Sequence, residues 1–361
     1  MPFLCQPATS SDRDVAMQDS AYSSSVVSVV LAAGKGTRMK SDKPKVLHDV
    51  FFVPMIHHVM DVLSTLTLTG NIVVTGHQHT LVETALAGYR PTFVWQQNQN
   101  GTGHAVLSCE AQLLRHQGHV LILCGDTPLI RPETLRCFMQ VHASSSVTLS
   151  VMTTMVDDPT NYGRILNGPD GDLIGIVEER DANPEQKRIR EINAGIYCVE
   201  AGFLLSALRR VTSENNQGEL YLTDIVAIAV QDGKKVEKFI CRDSEEVLGV
   251  NSRRELAKAH TVLQNRYLDE LMDDGVTILQ PETVTIDKNV SIDRDTVISP
   301  SVFLAGKSRI GKGVTIGPFV YIEESDIGEG ASIGAHAHLV GAKVNPGVRI
   351  PPHALVNSSE D

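Results

Sequence analysis

The segment Leu31-Ala32-Ala33-Gly34-Lys35-Gly36-Thr37-Arg38-Met39 puts two glycines and an arginine directly after a run of β-branched residues. Glycines let a backbone approach phosphate oxygens closely, and free amides there donate to them. Arg38 adds positive charge, as does Lys45 in the following Pro44-Lys45-Val46-Leu47. An arginine clamps phosphate through two parallel hydrogen bonds, whereas a lysine acts as a point charge. Two commoner phosphate loops do not fit. A Walker A loop needs four residues between its first glycine and Gly-Lys-Ser/Thr, and the dinucleotide fingerprint needs a third glycine where Met39 stands.

Other residues of chemical interest lie further along. Gln96-Gln97-Asn98-Gln99-Asn100-Gly101-Thr102 is rich in amides, each offering a donor and an acceptor. Asp126 follows the apolar run His119–Cys124, which places it beyond the carboxyl end of a strand, where Gly-Asp also suits a turn. Asn251 precedes a helix expected to start near Arg253 and suits its N-cap. His77 and His79 have no ligand cluster around them and are expected in a loop.

These residues need a scaffold, and the pattern from Val26 to about Gly249 supplies one. Val26–Leu31, Ile72–Val74 and His119–Cys124 are expected as buried strands. Helices are expected over Pro54–Leu66, Thr80–Leu86, Gly103–His116 and Arg131–His142. Such β-α alternation predicts a mostly parallel sheet with helices on both faces, whose ligands bind beyond the carboxyl ends of the strands. From Arg253 to Met272, Leu256, Ala259, Leu263, Tyr267 and Leu271 recur at helical spacing, as in a connecting helix.

After Pro281 the period changes. Ile286, Ile292, Ile298, Leu304, Ile310, Ile316 and Ile322 stand six apart; Ile327, Ile333 and Leu339 resume after one slip, and Val344, Ile350 and Val356 after another. Inward aliphatics with small residues at the corners mark a parallel β-helix, here of about four coils. The expected organisation is a disordered leader over 1–25, an α/β domain over 26–252, a linker helix over 253–280 and a hexad domain over 281–361.

Composition sets limits. The 361 residues, 42% apolar, suffice for two cores. A net charge of -11 without a basic run argues against a nucleic-acid partner. No apolar run approaches a membrane span, and the polar first 25 residues lack a signal peptide's apolar stretch, so no membrane partner is expected. The six cysteines form no C-x-x-C pair, as in a reducing cytoplasm.

The ordered set of motifs resembles the uridyltransferase half of the bifunctional N-acetylglucosamine-1-phosphate uridyltransferases. It comprises the Leu31–Met39 loop with Pro44–His48, Gln96–Ala105, Gly125–Ile130, Asp158–Ile165, Gly175–Glu178, Glu191–Ile196 and Gly249–Arg253. The resemblance implies a Rossmann-like nucleotidyltransferase domain followed by a short left-handed hexapeptide-repeat β-helix. It implies transfer of the uridylyl group of UTP to N-acetylglucosamine 1-phosphate in cell-envelope synthesis, in the cytoplasm, with a homotrimer formed through the β-helix. A pyrophosphorylase for another sugar or nucleotide, and a non-catalytic scaffold on the same fold, are the alternatives.

The same resemblance assigns residues. Arg38 and Lys45 would be catalytic. Leu31, Ala32, Ala33, Gly34, Lys45, Gly125 and Asn251 would bind substrate, and Gln96, Gln99, Gly101 and Thr102 would surround uracil, whose imide edge an amide matches. Gly163, Glu178 and Asn193 would hold the sugar. Asp126 and Asn251 would bind Mg²⁺, which habitually takes one or two protein oxygens beside phosphates and water. Tyr221 and Thr223 lie in a run similar to the family's, with no assigned role. Two departures stand out: Cys124 replaces a common Tyr, and Ala194 a common Thr. The acetyl-transfer motifs of full-length relatives have no counterpart up to Asp361, and His336, His338 and His353 are expected to decorate corners of the repeat, so acetyl transfer is expected to be absent.

Overall fold

In the computed structural model, which describes residues 25–357, the first apolar run forms strand β1 (Val26–Ala32), buried except for Leu31. Burial on both faces is why this run is continuous instead of alternating. The two-residue strands β2 (Asp49–Val50) and β3 (Val53–Pro54) follow. Strand β4 (Gly70–Thr75) pairs with β1 in parallel, and β5 (Thr92–Trp95) with β4. On the other side of β1, β6 (His119–Cys124) is also parallel. The carboxyl ends of these four strands therefore share one edge of the sheet.

The sheet continues through β7 (Leu149–Met155), a hairpin of β8 (Arg164–Asn167) and β9 (Leu173–Val177), then β10 (Glu191–Glu200) and β11 (Val236–Cys241). Its main path runs β11-β7-β10-β6-β1-β4-β5, with β8 joined to β10. The expected mostly parallel sheet is found with antiparallel exceptions: β10, near its centre, is antiparallel to β6 and β7, and β8 is antiparallel to both β10 and β9. No crossover helix separates β7 from β10, and a parallel pairing would require such a crossover.

Helices α1 (Met55–Ser64) and α2 (His79–Leu86) lie near their expected positions. The single helix expected over 103–116 is instead two, α3 (Thr102–Leu107) and α4 (Glu110–Leu113). At the break the Ser108 hydroxyl bonds back to the His104 carbonyl at 2.9 Å, and the Cys109 amide bonds three residues back to Val106 at 2.9 Å. Such bonds tighten the turn and end the α-helical ladder. Helices α5 (Pro132–Ser145), α6 (Ala201–Leu208), α7 (Asp224–Gln231) and α8 (Arg253–Asp273) complete the set. No helix among the described residues is long and apolar enough to cross a membrane.

The chain divides into two compact units, one of residues up to 48 and 53–253, the other of 49–52 and 254 onward. In the first, Val29, Ile72, Val74, Val120, Ile122, Val151 and Val199 of the sheet pack with Val106, Leu204, Ile225 and Val226 of α3, α6 and α7. In the second, the residues expected as a separate linker helix share its core: Leu268 and Leu271 of α8 pack with the hexad aliphatics. Asp49–Phe52 joins this unit because the rings of Phe51 and Phe52 meet His260, Tyr267 and Phe303. The leader expected over 1–25 falls almost wholly outside the described residues.

The hexads form fourteen two- or three-residue strands stacked in three parallel sheets of five, five and four, hence between four and five coils. Ile298, Leu304, Ile316 and Ile322 are fully buried inside. Like residues stack in register between coils, as with Ile292 beside Ile310 and Ile298 beside Ile316.

A polar network is buried in the first unit. His142 of α5 meets Ser150 Oγ at 2.8 Å through Nδ1 and His119 Nδ1 at 2.9 Å through Nε2. Burial, with His119 adding to it, pushes the His142 imidazole down to about 3. Burial also lowers His119, against the pull of Glu200. The unfolded chain binds the His142 proton near 6.5, so its stabilising contribution is complete above that pH and is lost as pH falls toward 3. Denaturant titrations between pH 7 and 5 should show wild-type stability falling more steeply than that of His142→Gln; equal slopes would contradict a neutral buried ring.

Candidate active site

The loop after β1 sits at the shared carboxyl edge of the parallel strands. The Gly125 amide, just past β6, donates to the Leu31 carbonyl at 2.9 Å, and the Gln96 amide, past β5, to the Thr75 carbonyl at 2.8 Å. The sheet registers thus bring the segments beginning at Ala33, Gln96 and Gly125 together. A cavity of about 340 Å³ opens among them, lined by Leu31, Ala32, Ala33, Gly34, Lys45, Gln96, Gln99, Gly101, Thr102 and Asp126 from the residues singled out in the sequence. That size suits a small-molecule ligand.

Within the loop, Gly36 has φ +61, and a Cβ there would fall 2.5 Å from Lys45 Cβ. This close approach lets Lys45 lie beside the loop. Its Nζ donates to Asp126 and, at 2.9 Å, to Asn251 Oδ1. Both side chains of the ion pair are largely withdrawn from solvent, at 14% and 15% exposure, which strengthens their attraction. Asn251 is set by its own segment: the Val250 amide donates to the Asp126 carbonyl at 2.8 Å and Asn251 Nδ2 to the Gly249 carbonyl at 3.1 Å. Two residues on, Arg253 Nε donates to the Met39 carbonyl at 3.3 Å, tying this segment to the glycine loop. Asp126 and Asn251 therefore present one carboxylate and one amide oxygen to the Lys45 ammonium, a donor pair whose chemistry also fits a hard divalent cation. Among the described residues no group of three or more His, Cys, Asp or Glu gathers to hold a metal.

The amide-rich segment closes another side of the cavity. Gln99 Nε2 donates to the Ala33 carbonyl at 2.7 Å. Gln96, buried, donates from Nε2 to the Gly101 carbonyl at 3.1 Å and lies 2.9 Å from His104 Nδ1. The 219–222 stretch clasps this loop through Leu220 N to Asn100 O and Gly103 N to Leu220 O, both 2.8 Å, and Leu222 N to Thr102 Oγ1 at 3.1 Å. Gly101 adopts φ +100, and a Cβ there would meet the Leu220 carbonyl at 2.5 Å.

Gly163, Glu178 and Asn193 form a second group, outside the lining of that cavity. The Asn193 amide donates to the Gly163 carbonyl at 2.9 Å, and a Cβ on Gly163 would lie 3.6 Å from Glu178 Oε2. Asn193 Nδ2 donates to the Tyr197 hydroxyl at 2.6 Å, and its Oδ1 accepts from the Gly195 amide at 3.0 Å. Burial raises the Glu178 carboxyl; Asp224, Asp181 and Glu219 raise it further, against a 3.0 Å hydrogen bond donated by Thr223. Burial and Glu178 likewise raise Tyr197 well above its usual value. The Glu178 group is thus acidic, while the cavity lining carries Lys35 and Lys45 together with Asp126 and Glu219.

Arg38 does not line the cavity; it is exposed on a short turn beyond Gly36. Gly125 and Asn251 stand behind Leu31 and Lys45 and are likewise absent from the lining. Sequence reasoning did not assign Lys35, Val46, Ala105, Cys124 and Glu219, which do line it. Lys35 and Val46 adjoin motif residues, but Glu219 arrives through the clasp and carried no local signal. Burial pushes the Cys124 thiol up to about 12, with Asp126 adding to it, so it is a poor nucleophile. Thr223 meets Glu178 only in the folded chain.

The chain has a mostly parallel sheet with a glycine loop and a lysine–aspartate ion pair at its carboxyl edge, and it belongs to the nucleotidyl transferase family, whose model matches residues 27–269. Over 288 residues it is 47% identical to the bifunctional protein GlmU of Desulfotalea psychrophila, spanning 80% of this chain and 85% of that one, which places it among the GlmU proteins. It is 46% identical over 292 residues to the GlmU protein of Geobacter metallireducens, and 46% over 297 to that of Heliobacterium modesticaldum. These matches cover 81% and 82% of this chain but 61% and 65% of the relatives' lengths. A Bacillus anthracis structure described as a glucose-1-phosphate thymidylyltransferase aligns over 66% of this chain and 94% of its own with a TM-score of 0.54. At 21% identity it shows a shared fold alone.

Gly101→Val tests the clasp. The added side chain collides with Leu220 and strains a positive φ, so pyrophosphate release should drop roughly 100-fold, as for a misplaced substrate. Turnover within a factor of two of wild type would show that the clasp does not set the cavity.

Proposed function

We propose that the chain joins UTP to N-acetylglucosamine 1-phosphate, giving UDP-N-acetylglucosamine and pyrophosphate. The observation that carries this reading is the convergence of the glycine loop, Lys45 with Asp126 and Asn251, and the Gln96–Thr102 clasp around one cavity. In it, backbone amides from Leu31 to Gly34 cradle the triphosphate. Gln96, Gln99, Gly101 and Thr102 enclose uracil, where an amino group in place of the imide edge leaves a polar partner unmatched at about 1–3 kcal/mol. Glu178 accepts from sugar hydroxyls, and Asn193 and Gly163 hold the acetamido sugar beside it.

The reaction is a direct displacement. An oxygen of the sugar phosphate forms a bond to the α-phosphorus while the bond from that phosphorus to the α–β bridging oxygen breaks, and pyrophosphate leaves with the electron pair. The attacking phosphate is already ionised, so no general base is needed. Catalysis rests on alignment and charge neutralisation. Lys45 stabilises charge near the reacting phosphorus. Arg38, exposed at the loop's end, is assigned to the β- and γ-phosphates and the departing pyrophosphate. Asp126 and Asn251 would hold a divalent cation, Mg²⁺ in this reading, which supplies positive charge against both phosphates.

A panel of the four NTPs against several sugar 1-phosphates, read by pyrophosphate release, tests the assignment; a preference for another pair would overturn it. Asp126→Ala should abolish turnover and Mn²⁺ binding while the protein still folds, as circular dichroism checks. Arg38→Ala should lower kcat roughly 100-fold with little change in KM, because its charge matters most as pyrophosphate departs. A pure KM effect would refute that role.

We further propose that the second unit assembles the chain as a homotrimer, checked by light scattering, and that the protein works in the cytoplasm, which suits the free thiols of Cys109, Cys124 and Cys241. Acetyl transfer is not expected of this chain. His336 stacks between Phe319 and His353, and His338 against Tyr321, which is an architectural use of these rings. Incubation with acetyl-CoA and glucosamine 1-phosphate should release no thiol.

A further inference from the structure

Arg164 heads the fully buried side chains of the described residues, at 2% side-chain exposure. A guanidinium keeps its charge wherever it is placed, so burial is costly unless its donors are used. Here two of them are used, and in different directions. Nη1 donates to the Tyr162 carbonyl and Nη2 to the Glu179 carboxylate, while buried Nε has no hydrogen-bond partner. Such an arrangement is poor for stability alone and asks for another reason.

The hairpin register supplies one. β8 and β9 pair as Leu166 with Gly175, Ile165 with Ile176 and Arg164 with Val177, and the pairing ends there. Gly163 and Glu178 come next on the two arms and face each other across the mouth. Arg164 bonds to the residue beyond each of them, Tyr162 on one arm and Glu179 on the other. It therefore spans the mouth where backbone pairing has stopped. Gly163 in turn fixes Asn193 through the 2.9 Å bond from the Asn193 amide.

We propose that Arg164 and Glu179 are positioning residues for the sugar phosphate: their ion pair staples the mouth of the β8–β9 hairpin and sets the separation of Gly163 and Glu178. This rests on the sugar-site reading above and extends it to two residues that touch no substrate. Lysine cannot replace the arginine, because one ammonium on a flexible stem cannot hold both divergent partners at once. The uracil and triphosphate groups are carried by segments following β1, β5 and β6, so loosening the staple leaves them in place.

The test is steady-state kinetics on wild type, Arg164→Lys, Glu179→Gln and the double variant, with Glu178→Gln in parallel. Glu179 is partly exposed and its glutamine replacement is nearly isosteric, so that variant decides the matter if Arg164→Lys fails to fold. The KM for N-acetylglucosamine 1-phosphate should rise about tenfold in each staple variant, with the KM for UTP within about twofold of wild type. The double variant should be no worse than Arg164→Lys, because the two residues act as one unit. A parallel rise in both KM values, an unchanged sugar-phosphate KM, or additive losses would overturn the staple. If Glu178→Gln itself leaves the sugar-phosphate KM unchanged, the sugar-site reading fails and the proposal with it. If Glu178→Gln raises that KM and the staple variants do not, only the staple fails.

Discussion

Lys45 reaches Asp126 and Asn251, residues that lie 81 and 206 positions further along the chain. One ammonium group thereby fixes the end of β6, the segment entering α8 and the loop beyond β1 with respect to one another. A lone carboxylate at that depth is expensive, and the ion pair with an added amide acceptor offsets the cost. The glycine at 36 is part of the same arrangement, since any side chain there displaces Lys45. What the site offers a polyanion follows from this crossing: amides on one wall, an ammonium at the centre, and two oxygens suited to a hard cation beside it.

The second group, outside the lining of that cavity, has the contrary character. Glu178 is half-buried near Asp181, Asp224 and Glu219, and only the Thr223 hydroxyl opposes the rise of its carboxyl. Such a cluster of acceptors suits neutral hydroxyl donors and repels anions. The stacked coils of the second unit use a different physics, in which repeated aliphatics bury a continuous core and aromatic rings stack at matching positions of successive coils.

Much was legible from local pattern. The glycine loop declared itself because a strand ran straight into it, and the hexads because a six-residue period leaves an aliphatic at every inward position. Three features were not legible. The helix expected over 103–116 breaks because Ser108 and Cys109 bond back on their own turn. β10 runs antiparallel because its direction depends on the connection that delivers it. Arg164 stood in plain view beside Gly163, yet nothing in its neighbours announces that its partner is Glu179 across a hairpin.

The amino-acid sequence determined by itself whatever depends on near neighbours: the strand-to-loop transition at Gly34, the amide-rich stretch from Gln96, the six-residue period after Pro281 and the lack of a run of basic residues. Tertiary structure decided which of these meet. Lys45 joining Asp126 and Asn251, Thr223 meeting Glu178, Glu219 entering the cavity and Arg38 standing outside its lining all depend on strand order and register. Those are fixed by burial summed over the whole core, a quantity that no short window of sequence contains.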